Sequence, residues 1–82
     1  MSNGKRYRLV EVRPDRGREE VRPIAMSYEE ALESLAAERY LHELTGWNVT
    51  SGDDLIVCSK GSARRIVQIR EFDPMSDLRS EI

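Results

Sequence analysis

The stretch MSYEEALESLAAERYLHELTGW, residues 26–47, decides the fold. Ser27-Tyr28-Glu29-Glu30 has the form of a capping box: the Ser27 hydroxyl can accept from the Glu30 amide, and the Glu30 carboxylate can reach back to the Ser27 amide. Met26 and Ala31 occupy hydrophobic-staple positions. Gly46 can adopt the left-handed C′ conformation that ends a helix. The spacing therefore predicts a helix from Tyr28 to about Leu44, with Trp47 at C″ folding back onto Leu41.

The apolar pattern within that helix is divided. Tyr28, Ala31, Leu32, Leu35 and Ala36 form one stripe at helical spacing. Its continuation calls for apolar residues at 39, 42 and 43, where the chain has Arg39, His42 and Glu43. Ala37, Tyr40, Leu41 and Leu44 carry apolar surface round to another side. Either the helix bends over the end of its sheet, or part of Tyr40, Leu41, Leu44 and Trp47 meets another chain; Trp47 and a docked C-terminal segment could also cover this surface.

On the N-terminal side, KRYRLVEVR is rich in β-formers and predicts a strand over about 5–13. Pro14-Asp15-Arg16-Gly17 is a turn signal, and a second strand follows at about 19–25. Pro23 has no amide donor, so that strand belongs at a sheet edge. On the C-terminal side, GWNVT, DLIVCSK and RRIVQIREF read as a three-strand meander, with turns at Ser51-Gly52-Asp53 and Lys60-Gly61-Ser62. Asp73-Pro74 has the form of a helix start, and Met75, Leu78 and Ile82 follow at i, i+3 and i+7. That pattern allows a short C-terminal helix, which is marginal alone and must dock to persist. The order β-β-α-β-β-β predicts a two-layer α+β domain over residues 1–72, a mainly antiparallel sheet with one long helix packed on it. Residues 73–82 form an acidic tail or a short docking helix.

The chain has 82 residues, 39% hydrophobic, and a net charge of −2. A domain of this size has a small core, and association or a covalent staple would add to it. Cys58 is the single cysteine, so no intramolecular disulfide supplies the staple, and a reducing cytoplasmic setting is expected. No apolar run approaches a membrane span, and MSNGKRYRLV has no apolar core of a signal peptide. The charge is unevenly distributed. Residues 1–22 hold seven Lys/Arg against four acids, and residues 60–70 hold Lys60, Arg64, Arg65 and Arg70 with no acid. Residues 27–44 hold Glu29, Glu30, Glu33, Glu38 and Glu43 against Arg39, and the last twelve residues hold four acids against Arg79. The strands are basic; the helix and tail are acidic.

Catalytic chemistry finds little to work with. His42 and Cys58 are single examples of their types and belong to no local nucleophile motif. Two residues of His/Cys type fall short of the four ligands of a structural zinc site. Glu29 and Glu30 complement the helix dipole in the first turn, and Asp53 and Asp54 lie in a hairpin turn where Asp is common. The glycines are scattered, so there is no phosphate-binding loop. The expectation is a non-enzyme with no cofactor and no metal.

Two binding readings remain. Arg6, Arg8, Arg64, Arg65 and Arg70 are candidates for contact with nucleic acid, and Arg6, Arg8, Arg64 and Arg70 would share one face if the first and last strands are neighbours. Against this stand a pI of about 5.4 and acids interleaved with the arginines, which allow a solvated, internally paired face. The preferred reading is a protein contact or homodimer through Tyr40, Leu41, Leu44 and Trp47 at the helix end and Met75 and Leu78 in the tail.

The segment AERYLHELTGWNVTSGDDLIVCSKGSARRIVQI resembles small uncharacterised proteins of actinobacteria and their phages. Those have an alanine-rich helix ending in Gly-Trp, a short hairpin and an Arg-rich strand. The resemblance covers fewer than half the residues and implies a role in binding a host protein or regulating expression. It carries no functional residue across.

Overall fold

The computed structural model describes residues 5–72; Met75, Leu78 and the expected C-terminal helix lie outside the described residues. The order is β1 (Arg6–Arg13), a 3-10 turn (Pro14–Arg16), β2 (Arg18–Val21), α1 (Tyr28–Leu44), β3 (Asn48–Ser51), β4 (Leu55–Lys60) and β5 (Ala63–Phe72). The strands form one antiparallel sheet in the order β2-β1-β5-β4-β3. This is the expected two-layer α+β fold, with α1 packed on one face.

The ends of α1 follow the local rules. Ser27 Oγ accepts from the Glu30 amide at 3.1 Å, and the Ser27 amide donates to Glu30 Oε1 at 3.0 Å. At the other end Gly46 has φ 90°. Its amide donates to the Glu43 carbonyl, and the Trp47 amide donates to the His42 carbonyl at 2.9 Å. Those two bonds make a Schellman motif with Gly46 at C′ and Trp47 at C″. The residue Trp47 meets is therefore His42, with ring centroids 5.4 Å apart, where Leu41 had been expected.

Strand β2 is shorter than the run 19–25. The Arg22 amide still donates to Leu9, but Pro23 then interrupts the ladder, and pairing resumes only where Met26 and Tyr7 exchange amide–carbonyl bonds at 2.8 Å. The chain leaves this edge and α1 carries it to β3 at the opposite edge. Five strands span about 19 Å at ~4.8 Å per step. Seventeen residues of helix reach about 25 Å. One helix is thus long enough to cross the sheet.

Directly paired residues share a face, so the registers sort the side chains. Leu9, Glu11, Ile56, Cys58, Arg65, Val67 and Ile69 point towards α1. The core consists of Leu9, Ala31, Leu35, Ile56, Cys58, Val67 and Ile69, with Tyr7, Met26, Trp47 and Val49 packed against it. The opposite face carries Arg6, Arg8, Val10, Val12, Leu55, Val57, Arg64, Ile66, Gln68, Arg70 and Phe72. No described element covers it.

Candidate functional site

Three places in the fold collect the residues that the sequence marks as functional. The first lies under the second half of α1. Ala31 and Leu35 are buried in the first half, and the same stripe continues through Glu38 and His42, seven positions on from Ala31 and Leu35 respectively. A polar stripe can pack against a sheet only if the sheet answers it. Here β1 presents Glu11, β5 presents Arg65, and the segment after β2 presents Arg22.

Arg22 holds Glu38 through two nitrogens, Nη1 to Oε2 at 2.8 Å and Nη2 to Oε1 at 3.2 Å, and also donates to Glu11 Oε1 at 3.3 Å. Arg13 Nε donates to Glu11 Oε2 at 2.7 Å. Arg65 Nε lies 3.3 Å from the same oxygen, an ionic contact whose angle does not make a hydrogen bond. The Arg65 guanidinium also stacks over Trp47 at 4.8 Å and reaches His42 Nε2 at 3.1 Å. His42 Nδ1 stands 2.7 Å from the Glu38 carbonyl, which can only accept, so Nδ1 carries the proton and Nε2 receives Arg65. Burial pushes the Glu11 carboxyl up. The hydrogen bond from Arg13, the charges of Arg65 and Arg13 and the hydrogen bond from Arg22 outweigh it and hold the group below the ordinary carboxylate range. Glu38 raises Arg22 in turn, chiefly through its hydrogen bonds. Two carboxylates and three guanidiniums join sheet to helix where aliphatic side chains would ordinarily do so.

This cluster places two of the sequence candidates. Arg65 faces α1, so it is separated from Arg6, Arg8, Arg64 and Arg70. Trp47, grouped by sequence with Tyr40, Leu41 and Leu44, turns inward because the Schellman geometry points C″ back at the sheet and Arg65 offers a cationic face to its ring. Cys58 is fully buried, and burial raises its thiol above the ordinary range. Both ring nitrogens of His42 are engaged by Glu38 and Arg65.

The second place is the outer face of α1. Tyr40, Leu41 and Leu44 are 63%, 55% and 64% exposed. With the exposed Ala37 they recur at i, i+3, i+4 and i+7, a stripe that flanks Glu38 and His42 at Ala37 and Leu41 and faces away from the sheet at Tyr40 and Leu44. Half of this helix is therefore inverted, polar towards the sheet and apolar towards solvent.

No protein-family model, curated protein or solved structure matches this chain.

The third place is the open sheet face, where the registers bring Arg6, Arg8, Arg64 and Arg70 together. The β1–β5 pairing sets Arg8 directly opposite Arg70, and Arg6 opposite Phe72. Arg70 turns to Glu19 at 3.0 Å, while Arg8 stacks on the Phe72 ring with its guanidinium carbon 3.8 Å from the centroid. Between the ends of this face lies an aliphatic belt of the half-buried Val12, Leu55, Val57 and Ile66, while Val10 on the same side is only 1% exposed. Sequence reasoning marked these arginines but missed the cluster under α1. Its four linking residues, Glu11, Arg22, Glu38 and Arg65, come from four separate segments with no fixed spacing.

Proposed function

We propose that this chain is a small non-catalytic interaction domain of the cytoplasm that works as a homodimer, pairing through the outer face of α1. The observation that carries this reading is the exposed stripe Ala37, Tyr40, Leu41 and Leu44 on a helix whose ends are both capped and whose inner face is pinned by ions. An apolar surface on a rigid element offers association without an ordering cost. The inner stripe cannot exchange places with the outer one, because rotation would bury Tyr40 and Leu44 against Glu11 and Arg65.

Antiparallel pairing about a two-fold axis suits this helix. It sets the two helix dipoles in opposition. It also brings Glu29, Glu30 and Glu33 of one copy towards the C-terminal end of its mate, where Lys60 Nζ caps the Thr45 carbonyl at 2.8 Å. Such a contact is isologous and closes on itself. The lone cysteine is buried and has no disulfide to form, which suits a reducing compartment.

The test is to replace Leu41 and Leu44 with Asp and measure mass by light scattering. The double variant should keep the wild-type circular dichroism and run as a monomer while the wild type runs as a dimer. A wild-type monomer, or a folded variant that remains dimeric, contradicts the reading.

A further inference from the structure

The charge of this protein is segregated by layer. Among the described residues the strand registers place Arg6, Arg8, Arg64 and Arg70 on the open sheet face with the acid Glu19, a net of +3 for those five on a chain whose net charge is −2. The helix on the opposite side holds five glutamates against Arg39. Layer centres in such folds lie about 10 Å apart, and the Debye length at physiological salt is ~8 Å. The helix carboxylates are therefore largely screened from an anion approaching the open face, and an acidic pI does not describe what that anion meets.

Three further observations concern Arg8. It faces Arg70 across the β1–β5 ladder, and like charges placed directly opposite destabilise a sheet. Its Nε is buried and finds no acceptor among the described residues. Its guanidinium is already flattened on Phe72, which leaves the edge with its remaining donors free to turn outward. Between Arg8 and Arg70 lies a cleft of about 220 Å³, lined also by Val21, Phe72, Glu71 and the fully buried Val10. Val21 and Phe72 are its accessible apolar floor, and Glu71 is an acid at its edge. The cleft is below the ~300 Å³ of small-molecule pockets, and it opens onto the sheet, so it suits one unit of a longer ligand. Arg64 lies six residues from Arg70 on the same side of β5, about 20 Å away at ~3.3 Å per residue. Arg6, Arg8 and Arg64 make no ion pair among the described residues.

We propose that the open sheet face binds single-stranded nucleic acid, with phosphates held by Arg6, Arg8, Arg64 and Arg70 and a base resting on the apolar floor of the Arg8–Arg70 cleft. Guanidiniums suit this task because their planar fork matches phosphate oxygens. The aliphatic belt between the arginines supplies apolar contact for bases that a purely ionic patch lacks, without the ring stacking of an aromatic platform, since Arg8 already stacks on the Phe72 ring. A poly-glutamate would satisfy the charges but has no apolar group to set on that belt. Arg65 takes no part, since it is committed to Glu11, His42 and Trp47. Pairing through α1 would leave both open faces outward, so this site stands or falls independently of the dimer.

The experiment is fluorescence anisotropy of the full chain with a labelled oligothymidylate, at about 50 mM and about 200 mM salt. Four phosphate contacts give a slope near −2.8 in log affinity against log salt, so binding should weaken by about 50-fold across that range. Arg8→Gln with Arg70→Gln should reduce the loss to about 7-fold and weaken binding at low salt. Arg6→Gln with Arg64→Gln, exposed and outside every ion pair, should do the same and covers the case in which the first variant fails to fold. No binding by the wild type at low salt overturns the proposal, as do unchanged affinity and slope in a folded variant. Binding of labelled poly-glutamate without binding of the oligonucleotide also overturns it, in favour of an acidic protein partner.

Discussion

Arg22 grips Glu38 with two guanidinium nitrogens, at 2.8 and 3.2 Å, and so ties the chain leaving β2 to the middle of α1. The same guanidinium donates to Glu11, whose side chain is 7% exposed. A buried carboxylate is tolerated only while its partners are present. Glu11 has three: Arg13 on its own strand, Arg22 after β2 and Arg65 on β5.

Glu11→Gln should therefore cost far more than a surface substitution. It leaves Arg13, Arg22 and Arg65 without their common anion, and breaking a buried ion pair from one side costs about 3–5 kcal/mol. A domain of this length has roughly 4–12 kcal/mol in total. Urea unfolding should show a midpoint shifted by a large fraction of its value with the m-value unchanged. Replacing the exposed Glu43, which pairs only with Arg39 on the same helix, should change stability by less than about 0.5 kcal/mol.

The acid limb of the stability curve should carry the signature of the same residue. The folded Glu11 carboxyl titrates below its unfolded value, so at acid pH the unfolded chain binds more protons, and stability rises with pH through the carboxylate range. The contribution is complete above the unfolded value, about 4.3 for Glu. It is lost as pH falls through the lower folded value. Glu30 is lowered as well by the backbone and side chain of Ser27, so Glu11→Gln should flatten this limb without abolishing it. Denaturant midpoints measured across the acid range read this directly.

Arg65→Lys tests whether the cluster needs a guanidinium. A lysine could keep an ionic contact with Glu11, but it could not also stack on Trp47 and donate to His42. The expected loss is about 1–2 kcal/mol. Because Trp47 is the single tryptophan, its emission in the folded variant should shift relative to wild type.

Cys58 should be unreactive in the native state. Burial raises its thiol, the charges of Glu38 and Glu11 add to that, and the charge of Arg65 opposes it without prevailing. A thiol-specific disulfide reagent should label the unfolded chain quickly and the folded one only at the rate of opening.

How much of this was legible in the sequence depends on the distance over which each rule acts. The capping box at Ser27–Glu30 and the glycine stop at Gly46 are contained within a helical turn, and both could be read. The hairpin turn at Gly61 and the edge position of β2, read from Pro23 although the strand stops at Val21, were legible for the same reason. The β1–β5 pairing, which decides that Arg6 and Arg8 share a face with Arg64 and Arg70, joins the two ends of the described chain and follows from no local pattern. The stripe on α1 was legible only as an anomaly. Apolar periodicity breaks at His42, and only the sheet explains it, because Glu38 and His42 continue the inner stripe against Glu11, Arg22 and Arg65. Tyr40, Leu41 and Leu44 could be marked as surplus apolar surface, whereas the inward turn of Trp47 required the cation beneath it.

The central claim is that the inverted half of α1 is an interface, and sedimentation equilibrium of the wild-type chain over a concentration series tests it most directly. The account predicts a mass twice that of the monomer at high concentration, dissociating on dilution, and a monomer at every concentration for Leu41→Asp with Leu44→Asp. A wild-type chain that stays monomeric across the series would contradict it.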